Sequence, residues 1–165
     1  MESVETLFKR HSDELFAYLC RYTFNHADAE DILSDVFAKL MGHIERNNNE
    51  SFLWRPWLYR VATNCAASHL RKKKIRSLFL MGKENNQEPE FDSPNTLEQS
   101  QTNAQIKNAI DQLDHKYKAV LILQVYQDLS YQEIADIVKI NIGTVRSRIN
   151  EAKKRIKTIL GENHG

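Results

Sequence analysis

The sequence predicts an all-α fold made of two small helical domains joined by a flexible linker. Three observations predict it. Apolar residues recur at three-to-four spacing almost throughout. Only residues 76–102 break that rhythm, with Asn85, Asn86, Gln87, Pro89, Ser93, Pro94, Asn95, Ser100 and Gln101 and few apolar residues. Near the C-terminus a capped short helix, a tight turn and a longer basic helix follow one another. A length of 165 residues allows one ordinary domain or two small ones. The break divides the chain into residues 1–75, a linker at 76–102 and residues 103–161.

In the first helix, Leu7, Phe8, His11, Leu15, Phe16, Tyr18, Leu19 and Tyr22 form the apolar stripe. Asn25 is the expected N-cap of the second, whose first turns hold Asp28, Glu30 and Asp31, acids that complement the helix dipole. Ile32, Leu33, Val36, Phe37 and Leu40 continue it toward Gly42. After the Asn47–Asn49 loop, a third helix is expected to start around Pro56, a residue suited to a first turn. It is expected to bury Trp57, Leu58, Val61, Ala62, Cys65 and Ala66 and to end in the run Arg71–Lys74. Beyond the linker come Ile106, Ile110 and Leu113, then a dense apolar stretch from Ala119 to Tyr126. Ser130 with Glu133 makes a capping box, and Asn141 is a good N-cap for the last helix.

Net charge is only +1, so charge alone names no partner, but its distribution is uneven. Residues 55–76 are basic without an acid, residues 84–98 are acidic, and residues 139–157 are basic with Glu151 the sole acid. Two basic islands point to two electrostatic footprints. Cys20 and Cys65 lie in apolar helical patterns and read as reduced, buried thiols. No Cys/His spacing suggests zinc, so no metal or cofactor is expected. No apolar run approaches the ~20 residues of a bilayer span, and the N-terminus lacks a signal-peptide pattern. A cytoplasmic protein without membrane insertion is expected.

On a helical wheel the last helix puts Val145, Ile149, Ala152, Ile156 and Ile159 in one stripe. Ser147, Asn150 and Lys154 lie opposite, with Arg146, Lys153 and Lys157 on one flank and Arg148 and Arg155 on the other. Such a face suits duplex DNA: Arg and Asn read base edges while Lys and Arg grip phosphates. A solvated basic helix explains this face equally well when taken alone. The capped helix before it, with Ile134, Ala135 and Ile137 inward, favours a helix-turn-helix.

Leu129-Ser-Tyr-Gln-Glu-Ile-Ala followed by Gly143-Thr-Val-Arg-Ser-Arg resembles region 4 of bacterial sigma-70-family factors, especially the short extracytoplasmic-function group. Helix-turn-helix response regulators share part of that pattern. Lys139 stands where the family often has Gly, and a positive φ there would cost roughly 1 kcal/mol. Asp28-Ala-Glu-Asp-Ile-Leu-Ser-Asp-Val-Phe is similar to region 2.2, which docks on the β′ clamp coiled coil. Asp28, Asp31 and Asp35 share a face that can meet a basic partner. A solvated acidic helix start explains the same residues. A Mg²⁺ nuclease site would also use carboxylates, but no distant residue completes a constellation.

Trp54-Arg-Pro-Trp-Leu-Tyr-Arg-Val-Ala-Thr-Asn64, running to His69-Leu-Arg-Lys-Lys-Lys, resembles regions 2.3 and 2.4, which open the promoter and read the −10 element as single-stranded DNA. Aromatic rings offer stacking faces and the basic tract follows the backbone. Trp57 reads as core; Trp54, placed just before the helix, is better set to meet DNA. Arg60, Asn64, Ala67 and Arg71 form the face away from the expected apolar stripe. The −10 set is therefore Trp54, Arg60, Asn64, Arg71, Lys72 and Lys73, and the −35 set Thr144, Arg146, Ser147, Arg148, Asn150, Lys153 and Lys154. The loop 47–52 is where the family captures a flipped base.

The resemblance covers residues 5–74 and 103–160 in the family's order. It implies a non-enzymatic promoter-specificity factor with core RNA polymerase (β′ clamp coiled coil and β flap), promoter DNA and an anti-sigma factor as partners. A fully stretched linker reaches about 85–90 Å and a flexible coil about 28 Å, against about 35–70 Å between DNA sites one or two turns apart. The rivals are an operator-binding regulator that needs no polymerase, and a sigma-like decoy that binds partners without opening promoters.

Overall fold

In a computed structural model of the chain, residues 2–46, 51–80 and 97–162 are described. Among them lie seven helices and no strand: α1 Val4–Thr23, α2 His26–Arg46, α3 Trp54–Phe79, α4 Leu97–Asp111, α5 His115–Val125, α6 Tyr131–Val138 and α7 Ile142–Glu162. They form two compact units, the first holding α1–α3 and the second α4–α7.

The first unit is a three-helix bundle in which each helix touches the other two. Ser3 caps α1 by accepting from the Thr6 amide, and Phe24 closes it in the left-handed region at φ 54°. Asn25 accepts from the Asp28 amide at 2.9 Å, the expected cap of α2. Leu7, Leu15, Leu19, Ala29, Ile32, Val36, Leu40, Leu58, Ala62 and Ala66 are fully buried. Among them run polar links. Thr63 Oγ1 donates to the Tyr59 carbonyl at 2.7 Å, so it accepts from the Tyr18 hydroxyl, also 2.7 Å away. Burial pushes the Tyr18 hydroxyl pKa up and raises the Cys20 thiol to about 11. Cys20 is buried as expected, while Cys65 is only half-buried.

Three expectations for α3 are corrected. It begins at Trp54, with Leu53 at the N-cap, two residues before Pro56. Amides of a first helical turn lack intrahelical partners, so Pro fits a later first-turn position too. Its buried residues are Leu58, Tyr59, Ala62, Thr63 and Ala66, while Trp57, Val61 and Cys65 are half-buried. The inward stripe is therefore rotated by roughly 80° from the one expected, at about 100° per residue. Aromatic area drew the expected stripe toward Trp57; the polar links of Tyr59 and Thr63 draw the real one the other way. Finally, α3 continues to Phe79 and α4 starts at Leu97, so both described ends of the stretch 76–102 are helical. The residues there include Arg76, Leu78, Leu97, Glu98 and Gln99, good helix formers with no Gly or Pro among them.

The second unit buries Ala109, Ile110, Leu113, the run Ala119–Leu123, Ile134, Ala135, Ile137, Val145, Ile149 and Ala152. Leu113, Leu121 and Ala152 pack together with Tyr117 and Ile156 at their edge. Lys118, a residue the apolar pattern did not flag, is also buried. Its ammonium reaches Asp111 at 3.2 Å, and burial lowers its pKa.

Candidate functional site

In the second unit, α6 and α7 form the helix pair. The Ser130 hydroxyl accepts from the Glu133 amide and the Glu133 carboxylate accepts from the Ser130 amide, both at 3.1 Å. The capping box fixes where α6 starts. Its C-cap, Lys139, has φ 56° and ψ 47°, so the condition under which Lys costs more than Gly is met. The turn forms nonetheless, with the Lys139 amide donating to the Ala135 carbonyl. Asn141 Oδ1 then accepts from the Thr144 amide at 2.8 Å and from its hydroxyl at 3.0 Å. These contacts hold the first turn of α7.

Val145, Ile149 and Ala152 are fully buried against the core. Arg146, Ser147, Asn150, Lys153 and Lys154 are exposed on α7, and Thr144 and Arg148 are half-buried. The exposed strip is thus a polar line of Ser147 and Asn150 with cations beside it. Arg146 stacks over the Tyr131 ring, 5.8 Å from its centroid, which steadies a long side chain on the open face. The Ser147 hydroxyl donates back to the Gly143 carbonyl at 3.0 Å, so its remaining capacity is as an acceptor. Arg148 lies toward the start of α5: desolvation, then Lys118 and Arg148, lowers the His115 pKa.

In the first unit the candidate residues fall on two surfaces. Asp31 and Asp35 are exposed on α2. Asp28 is not exposed with them. Its carboxylate accepts from His69 Nε2 at 3.0 Å and Lys73 Nζ at 2.7 Å, and its side chain is only 14% exposed. Burial alone would raise its pKa, but hydrogen bonds from Lys73 and His69, and their charge, lower it. On α3, Asn64, Arg71 and Lys72 are exposed and Arg60 is half-buried, with its pKa lowered by desolvation. Lys73 is drawn to Asp28, so it stands apart from Arg71 and Lys72.

Trp54 sits in the first turn of α3 within a ring cluster. His43 stacks on Trp57 with centroids 4.6 Å apart, Phe52 lies 4.5 Å from Trp54, and Trp54 meets Trp57 edge-on at 5.8 Å. His43 and Phe52 join the two tryptophans here, a partnership that sequence spacing did not reveal. Of the loop 47–52, residues 47–50 lie outside the described residues.

Glu14 is the other residue that sequence reasoning missed. Its carboxylate accepts from Arg55 Nη2 at 3.0 Å, the Tyr59 hydroxyl at 2.9 Å and His11 Nδ1 at 2.9 Å. This ties α1 to the first turn of α3, where the tryptophans sit. A signal existed: Arg55, Leu58, Ala62, Ala66, His69 and Lys73 are in phase at spacings of three and four. The inward stripe of α3 has an apolar centre and an ion pair at each end.

The Sigma-70 region 2 family matches residues 7–75, and the Sigma-70, region 4 family matches residues 103–156. The extracytoplasmic-function sigma factor SigW of Bacillus subtilis is 30% identical, over 89% of this chain and 83% of its own length. SigV of Bacillus subtilis is 29% identical, over 92% of this chain and 87% of its own. SigE of Mycolicibacterium smegmatis is 27% identical over 98% of this chain, which spans 63% of that relative's length. Two solved structures share the fold. The sigma factor RpoE of Bartonella quintana, in complex with the anti-sigma factor NepR, has a TM-score of 0.67 at 21% identity, covering 95% of this chain and 96% of its own. CnrH, in complex with the cytosolic domain of CnrY, has 0.68 at 19%, covering 96% of this chain and 88% of its own. With a region 2 bundle, a region 4 helix-turn-helix and relatives matched along most of its length, the chain belongs to the extracytoplasmic-function group of the sigma-70 family.

Proposed function

We propose that the chain lends promoter specificity to core RNA polymerase, with region 4 on duplex −35 DNA and region 2 on the melted −10 strand. One observation carries this: a duplex-suited face on α7 and an aromatic-basic face on α3 occur in the same chain, beside exposed acids on α2. A plain operator-binding regulator has use for the first and none for the other two.

The assignment is specific. Arg146 and Asn150 read base edges, Lys153 and Lys154 hold phosphates, and Thr144, Ser147 and Arg148 support the approach at the helix start. On α3, Asn64, Arg71 and Lys72 meet the displaced strand, with Arg60 beside them and Trp54 as a stacking platform. Asp31 and Asp35 face the basic polymerase clamp, and the β flap receives region 4. The factor itself catalyses nothing; the polymerase does the chemistry. No described helix is long and apolar enough to cross a membrane, and action beside the polymerase in the cytoplasm belongs to the same reading. RpoE was captured with an anti-sigma factor and CnrH with the cytosolic domain of CnrY, and we extend control by an anti-sigma factor to this chain.

Run-off transcription with purified core polymerase on a promoter library tests the proposal. Specific transcripts that appear only when the chain is added are expected. Silence on every template, with DNA binding by the chain alone, would overturn it in favour of a regulator. Polymerase binding without promoter opening would identify a decoy.

A further inference from the structure

Asp28 carries the further inference. On α2 it is one of a row of acids with Asp31 and Asp35, and the row by itself reads as one docking surface. The side-chain geometry separates its members. Asp31 and Asp35 are exposed, whereas Asp28 lies 14% exposed with one oxygen on His69 and the other on Lys73. At 14% exposure, and with each oxygen already held inside the domain, this carboxylate presents little surface to a second protein.

The α3 side of this contact matters more. His69 and Lys73 are one turn apart, in phase with buried Ala62 and Ala66. Beyond the apolar core, they are the inward stripe of α3. Residues 71–79 are all exposed, and past Ala66 the apolar stripe carries no further fully buried residue. The Asp28 pairs therefore anchor the basic tract to α2, in the phase the upstream core sets, where apolar packing has run out. With Lys73 turned toward α2, Arg71, Lys72 and Lys74 occupy the other sides of the helix.

We propose that Asp28 is a positioning residue for the basic tract of α3, holding Lys73 on the α2 side so that Arg71, Lys72 and Lys74 face DNA, and that it is not a polymerase contact. The inference rests on the promoter-specificity reading, because it assigns that tract to DNA. It divides the acid row by job: Asp31 and Asp35 for docking, Asp28 for orientation of the neighbouring helix.

The test is a double-mutant cycle in the full chain with Asp28→Asn, Lys73→Met and the pair. Core-polymerase affinity is read by anisotropy and promoter opening by permanganate footprinting. Asp28→Asn should leave core affinity within about twofold and reduce promoter opening about tenfold, the scale of one lost charge-assisted hydrogen bond. Lys73→Met should do the same, and the pair should be no worse than either single change. Asp28→Glu, which keeps the carboxylate, should restore opening; circular dichroism checks that each variant folds. A loss of core affinity by Asp28→Asn, or losses from the two changes that multiply, would overturn the proposal. The wild-type chain and the Lys73 ammonium signal in NMR separate the two levels. No opening by wild type defeats the promoter reading. An ammonium signal that Asp28→Asn does not alter defeats the pairing itself.

Discussion

Glu14→Gln tests whether the ion pair at the start of α3 holds region 2 together. Gln keeps the shape of Glu14 but loses the charge and one acceptor oxygen. Arg55 Nη2, Tyr59 Oη and His11 Nδ1 all lie within 3.0 Å of the carboxylate, and the amide of Gln would turn a donor toward one of them. Charge-assisted hydrogen bonds contribute about 1.5–3 kcal/mol each and neutral ones about 0.5–1.5. Arg55 is 43% exposed, so solvent screens its share. The expected loss is about 2 kcal/mol, or about 1–2 M in urea midpoint for a small domain. The assay is selective by chance of composition. The chain has two tryptophans, and both, Trp54 and Trp57, lie on α3, so tryptophan emission during urea unfolding follows region 2 alone. The pH dependence gives a second check. Burial opposes ionisation of Glu14, but the hydrogen bonds from Arg55, His11 and Tyr59 outweigh it, and its pKa is lowered below 4.5. A depressed folded pKa means the stabilisation is complete above the unfolded value and fades as pH falls through the folded one. The gap between wild type and variant should therefore be full at pH 7 and close progressively below about 4.5. An unchanged urea midpoint at neutral pH, or a gap that stays constant down through the acid limb, would refute the reasoning.

Three further outcomes are expected. Asp31→Lys with Asp35→Lys should weaken core-polymerase binding at least about tenfold, as lost complementary charges do, without shifting tryptophan-monitored unfolding; normal pull-down would sink the docking assignment. Arg146→Ala should cost about 1–3 kcal/mol of −35 discrimination if a base contact is lost, and promoter output that ignores both the substitution and the −35 sequence would count against α7 as reader. Lys139→Gly should stabilise region 4 by about 1 kcal/mol, because a side chain at φ 56° pays a left-handed penalty that Gly escapes. Amide exchange in α6 and α7 should slow accordingly, and equal or faster exchange would contradict that strain.

Region 4 was legible almost in full because its signals are local. A capping box needs two residues three apart, an N-cap needs one, and the α7 stripe needs only a period; Ser130, Glu133, Asn141, Val145, Ile149 and Ala152 all occupy the expected roles. Region 2 was legible as three helices but not in detail, because what rotates α3 is long-range. Tyr18 bonds Thr63 across 45 residues, and Glu14 bonds Tyr59 across the same separation. No local window contains both partners of either pair. Lys118 escaped for the related reason that a buried ammonium depends on a carboxylate, Asp111, in another helix.

The same rotation explains how α3 can present several surfaces at once. Twenty-six residues give about seven turns at 3.6 residues each, and the inward stripe uses only one side of them. Had the stripe centred on Trp57, Val61 and Cys65, Tyr59 and Thr63 would turn toward solvent and strand the Tyr18 hydroxyl in the core, a loss of about 1–3 kcal/mol. In the observed rotation those groups are satisfied, Trp57 rises to the edge beside His43 and Trp54, and Asn64 and Arg71 emerge opposite the core. The buried hydroxyls of Tyr18 and Thr63 thus help choose which residues of α3 lie on the exposed face that we propose meets DNA, although both are buried away from that face.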